Sequence, residues 1–155
     1  MDRRIISQLL LATIAAVLQG VFWLSLGGIK INLVLIVLLA LAFLVRDWRD
    51  YLLLVFWSGL LIRSNDEWDW TASALILIVL LVYLIKKFLP WQPLINYLIF
   101  VVVATVGFYG LIDWHFLVDD TIIFLKELAY NTLFGGLIYL ILARFYEQQQ
   151  TRNKF

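Results

Sequence analysis

The sequence predicts an all-α integral membrane protein, a bundle of about six transmembrane helices, and three observations predict it. Hydrophobic residues make up 64% of the 155, against roughly 45–50% in soluble domains. They fall into six runs separated by short charged segments. The mean hydropathy of +0.94 exceeds what a soluble core of this size could bury, because a small domain leaves much of its surface in water.

The first run covers residues 5–26. It follows Asp2-Arg3-Arg4, which opens a secretory signal as an alternative. The run is longer than a signal's apolar segment and no small-x-small cleavage site follows it, so it is read as a retained span. Gly27-Gly28 and Lys30 form a turn into span two, 31–45. The charged turn Arg46-Asp47-Trp48-Arg49-Asp50 precedes span three, 51–62. A polar, acidic stretch at 63–70 leads into span four, 71–85. Lys86-Lys87 and a turn at 90–93 precede span five, 94–112. The last loop, 113–120, gives way to span six, which ends near Tyr146. Residues 1–146 thus form a single six-span domain, and 147–155 a short polar cytoplasmic tail, expected to be frayed and solvated.

Spans two and three are short. At about 1.5 Å per residue they reach roughly 22 and 18 Å, less than the hydrocarbon thickness of about 30 Å. Two short true spans with snorkelling arginines are one solution. A re-entrant hairpin is the other, at the cost of bringing Arg46, Asp47, Arg49 and Asp50 near the bilayer centre.

Lysine and arginine near span ends are retained on the cytoplasmic side. With the N-terminus inside, that side holds nine: Arg3, Arg4, Arg46, Arg49, Lys86, Lys87, Arg144, Arg152 and Lys154. The outer loops hold Lys30 and Arg63, and Lys126 falls just inside span six. Asp66, Glu67, Asp69, Asp113, Asp119 and Asp120 all lie outside. Both termini are therefore expected in the cytoplasm. Trp23, Trp48, Trp68, Trp70, Trp91 and Trp114 sit at span ends, where indole suits the headgroup level; Trp57 alone is well inside a run.

Polar residues inside spans are candidates for function or for helix contacts. Lys126 and Glu127 are adjacent and point different ways; they either snorkel at the outer interface or make a pair with Asp119, Asp120 or another span. Glu127 and Asn131, at i and i+4, share one face. Gln8, Gln19, Asn32 and Asn96 are read as interhelical hydrogen-bond partners. Ala12, Ala16 and Gly20 form a small-residue stripe on span one, and Thr132 and Gly136 repeat the spacing on span six. Such stripes allow close approach of a second helix, from this chain or from a partner.

No catalytic, cofactor or metal site is expected. Cysteine is absent and His115 is the single histidine, too few for a zinc site. Ser7, Ser25, Ser58, Ser64 and Ser73 lack a neighbouring base, and Asp66, Glu67 and Asp69 crowd one loop.

The order of these features resembles the bacterial rod shape-determining protein MreD family. Residues 31–42, an asparagine-led apolar run, resemble that family's second span; 46–62, with Gly59-Leu60-Leu61, are similar to its short third span. Glu127-Leu128-Ala129-Tyr130-Asn131, followed by Tyr139 and Arg144, is similar to its closing helix and basic end. The stretch 62–67 after span three departs from the family's small-residue loop. The resemblance implies a non-enzymatic scaffold of the cell-elongation machinery, which controls cell shape and peptidoglycan synthesis at the inner membrane. Its implied partners are an MreC-like bitopic membrane protein, the actin-like MreB filament, and the SEDS polymerase with its transpeptidase. It also implies a fold similar to the substrate-binding subunits of energy-coupling-factor vitamin transporters, which supplies the alternative function. Ala12-xxx-Ala16 looks like the alanine motif those subunits present to their transport partner. The candidate contact residues are Ala12, Ala16, Gly20, Glu127, Asn131 and Gly136.

Overall fold

The computed structural model describes residues 3–21, 25–26, 29–62, 70–89 and 92–152. Its helices are α1 (Arg3–Val21), α2 (Leu33–Leu44), α3 (Trp48–Ile62), α4 (Trp70–Ile85), α5 (Pro93–Ile112), α6 (Trp114–Asp119) and α7 (Thr121–Arg152). Two-residue strands, β1 (Ser25–Leu26) and β2 (Ile29–Lys30), pair antiparallel between α1 and α2. The expected acidic loop at 63–69, the glycine pair at 27–28, and Trp23, Trp68 and Trp91 lie outside the described residues.

Local chemistry sets several boundaries. Asn32 caps α2, its side chain accepting from the Leu35 N–H at 3.1 Å, the short-range bond that makes asparagine a good N-cap. Pro93 opens α5, where its missing N–H costs nothing. Asp113 caps α6 by accepting from Phe116 N–H at 3.1 Å.

Four boundaries differ from the sequence reading. α1 is Arg3–Val21, and Ser25 and Leu26, read as the end of the first span, form strand β1 paired with β2. α3 begins at Trp48, inside the charged turn. The loop at 113–120 contains α6 because Asp113 supplies a cap. The C-terminal tail is helical through Arg152, in a stretch of good helix formers such as Glu and Gln.

α2 is the centre of the bundle. It packs against α1, α3, α4, α5 and α7, and each residue from Val34 to Ala42 is buried. A helix that is apolar all round must be covered on all sides, and here the other helices cover it. Around it α1 packs on α3, α3 on α4, α4 on α5 and α5 on α7.

Helix directions alternate along the chain. Gln8 of α1 donates to Tyr146 Oη of α7, and Tyr83 Oη of α4 donates to the Arg46 carbonyl at 3.0 Å. These contacts gather the start of α1 with Arg46, Arg49, Lys86, Lys87 and Arg144 at one end, which also holds Asp47 and Asp50. At the other end Trp70 Nε1 donates to the Leu111 carbonyl at 3.2 Å, beside Asp113, Asp119 and Asp120.

The outer surface is apolar. Leu10, Ile14 and Val17 of α1, Phe56 and Leu60 of α3, Leu77, Leu81 and Leu84 of α4, and Leu133, Leu137 and Ile141 of α7 are exposed. A water-soluble monomer rarely shows contiguous apolar patches on this scale. Among the described residues, three helices are long and apolar enough to cross a membrane: Trp70–Phe88, Pro93–Ile112 and Thr121–Gln148. The molecule is an all-α membrane protein.

Candidate functional site

α2, a helix of 12 residues, is about 18 Å long, shorter than a hydrocarbon core of about 30 Å. Its terminal N–H and C=O groups have no partner within the helix, and hydrocarbon offers none. Four polar side chains of the bundle converge on these two ends.

At the start of α2, three amide oxygens meet three backbone N–H groups. Gln19 Oε1 of α1 accepts from Val34 at 2.8 Å, Asn32 Oδ1 from Leu35 at 3.1 Å, and Asn131 Oδ1 of α7 from Asn32 itself at 3.0 Å. Asn32 and Asn131 are buried. Asparagine and glutamine suit this task because each presents a neutral acceptor, avoiding the cost of a buried charge.

At the other end, the Lys86 ammonium donates to the Ala42 carbonyl and, at 3.1 Å, to the Val45 carbonyl. A cation there also meets the negative end of the helix dipole. Lys86 lies 4.0 Å over the ring of Tyr83, which stacks on Tyr51 at 4.5 Å. Tyr51 Oη bonds to the carbonyls of Leu38 in α2 and Val79 in α4, both at 3.2 Å. On the opposite flank Tyr97 Oη donates to the Ile36 carbonyl at 3.2 Å, and its ring stacks on Tyr139 at 4.7 Å.

Beside the N-terminal cap, Glu127 is 3% exposed and accepts from Tyr109 Oη of α5. Its neighbour Lys126 faces outward. The pair therefore splits as adjacent helix positions require: the acid turns to α5. Asp119 lies 3.5 Å from His115, both well exposed.

The sequence-derived candidates separate into three groups. Ala12 and Ala16 are buried inside the bundle, on the helix that packs against α2 and α3. Glu127 and Asn131 do share a face, and that face is covered by α5 and α2. Gly20 falls within α1, and Gly136 is half-buried, where an added Cβ would lie 3.4 Å from Leu98 Cδ2. Gln8 joins α1 to α7 as an interhelical partner, and Trp57 Nε1 donates to Thr13 Oγ1 at 2.9 Å, tying α3 to α1. Trp48, Trp70 and Trp114 are exposed at the first positions of their helices.

Sequence reasoning missed two residues. Lys86 was counted among cytoplasmic charges, and nothing in its spacing marks it as a cap. Gly135 is buried, and a Cβ there would sit 2.8 Å from Tyr97 Oη. It lies four residues beyond Asn131, so the Glu127/Asn131 periodicity carries the signal for it.

Among the described residues, no group of three or more His, Cys, Asp or Glu side chains could hold a metal ion. The arrangement binds helix to helix: Gln19, Asn32, Asn131, Lys86, Tyr51 and Tyr97 all bond to backbone groups at α2. No family model, no curated protein and no solved structure matches this chain.

Proposed function

We propose that this chain is a non-enzymatic membrane scaffold of the MreD type, which binds partner membrane proteins of the cell-elongation machinery and so controls cell shape and peptidoglycan synthesis. The observation that carries the reading is where the polar groups go. Gln19, Asn32, Asn131 and Lys86 close the ends of α2, leaving apolar outer helix faces to lipid and to other helices. The segments that carry the resemblance, 31–42, 46–62 and 127–144, contribute α2, α3 and the part of α7 that caps α2.

In this reading the bundle crosses the inner membrane six times, with α1, α2, α3, α4, α5 and α7 as spans. The basic end, with both termini, faces the cytoplasm, as the retention of lysine and arginine requires. The short α2 is tolerated because side chains of the bundle satisfy groups at both of its ends. The burial of Ala12 and Ala16 weighs against the alternative, a vitamin-transporter subunit similar to the energy-coupling-factor fold, since alanines turned inward cannot meet a transport partner.

Co-purification tests the proposal. The tagged chain, solubilised in mild detergent from its own cells, should carry an MreC-like bitopic protein, and its depletion should turn rods into spheres. A preparation that lacks such a partner and carries a bound vitamin would overturn it.

A further inference from the structure

α5 and α7 pack antiparallel in a register that three contacts fix. Tyr109 meets Glu127. Val101 Cγ2 lies 3.5 Å from where a Cβ on Gly135 would be, and Tyr97 stacks on Tyr139. Stepping one turn along both helices from Tyr109 and Glu127 reaches Thr105 and Asn131, and one further turn reaches Val101 and Gly135. Thr105 and Asn131 therefore face each other at one level.

Both side chains are 0% exposed. Thr105 Oγ1 and Asn131 Nδ2 have no hydrogen-bond partner among the described residues. The orientation of Asn131 is set, because its Oδ1 already accepts from Asn32 N–H; its amide donor must point elsewhere. Thr105 is unusual among the helical hydroxyls. Thr13, Ser58, Thr121 and Thr132 each bond to the carbonyl four residues earlier, the usual resting place for a hydroxyl in an apolar helix. Thr105 forgoes that bond, which leaves its oxygen free to serve a group between the helices.

We propose that a single water molecule binds between α5 and α7, accepting from Asn131 Nδ2 and donating to Thr105 Oγ1, and so extends the cap of α2 to α5. A buried water needs two or more polar partners, and a dry, orphaned amide in hydrocarbon is costly. The chemistry calls for a small guest that both donates and accepts, at a site walled by helices. The site lies one turn from the Glu127–Tyr109 pair, and it stands whatever the chain's partners are.

The test is side-chain amide NMR on the full chain, 15N-labelled at asparagine, in detergent micelles, together with its melting temperature. The Asn131 amide protons should show a cross-peak to water that Thr105→Val abolishes and Thr105→Ser keeps. Thr105→Val should lower the melting temperature by a few degrees although it removes a buried hydroxyl. A cross-peak to the Thr105 hydroxyl with none to water would overturn the proposal. So would an unchanged or raised melting temperature in Thr105→Val, because deleting an orphaned hydroxyl relieves its desolvation cost. Thr105 makes no backbone cap, so the variant keeps the contacts that fold the bundle.

Discussion

Replacing Lys86 with methionine keeps the stem length and removes the ammonium that closes α2. Two carbonyls, Ala42 and Val45, then lose their donor. A hydrogen bond to a charged group contributes about 1.5–3 kcal/mol, and a cation at a helix C-terminus adds roughly 0.3–1 kcal/mol. Lys86 is half-buried, so solvent screening favours the low end, and the expected loss is about 2 kcal/mol. For a chain of this size about 2–4 °C of melting temperature corresponds to 1 kcal/mol, which gives a fall of roughly 4–8 °C. The assay is thermal unfolding in detergent, followed by tryptophan fluorescence. Lys87→Met is the internal control: Lys87 is exposed, with its ammonium 5.0 Å over the Phe88 ring, and surface changes stay within about 0.5 kcal/mol. Equal behaviour of the two variants, or an unchanged Lys86→Met, would refute the capping argument.

Three further outcomes follow from the same contacts. Gly135→Ala should destabilise by about 1–3 kcal/mol, since its Cβ meets a tyrosine oxygen held by Ile36; Gly136→Ala, facing a mobile leucine methyl, should stay within about 0.5 kcal/mol, both read from detergent denaturation curves. Glu127→Gln keeps an acceptor for Tyr109 and should unfold like wild type, whereas Glu127→Leu should cost about 1–3 kcal/mol, part of it recovered on adding Tyr109→Phe. The chain has no cysteine, so single cysteines report sidedness cleanly. Asp119→Cys should react with an impermeant maleimide in intact cells, and Arg49→Cys only after permeabilisation; the reverse pattern would invert the proposed threading.

Much of the bundle was legible because apolar runs of defined length leave few choices in a membrane. The ends of α4 and α5 fall within one residue of the runs at 71–85 and 94–112. The position of α2 was not legible. An apolar surface suits lipid and protein equally, so the composition of 33–44 cannot say which one covers it. Gln19 and Asn32 were readable as helix-to-helix partners and Asn131 as sharing a face with Glu127, yet their common target was hidden, because three separated residues converge on one helix end only in three dimensions. Lys86 was obscured for another reason: a lysine near a span end already has a sufficient explanation in membrane threading. Gly135 and Gly136 are adjacent, and choosing between them needed the phase set by Glu127 and Asn131.

The way α2 is closed bears on how the chain is made. α2 emerges from the ribosome directly after α1, with only Gln19 and Asn32 synthesised to satisfy its start. Its far end waits for residue 86 and its remaining N–H for residue 131, some hundred positions later. Until then the nascent chain holds unmet backbone groups that lipid cannot solvate. Insertion must therefore keep α2 sheltered, beside water or the insertion machinery, until α7 arrives. Nascent chains arrested before residue 131 should accordingly remain crosslinkable to that machinery at α2.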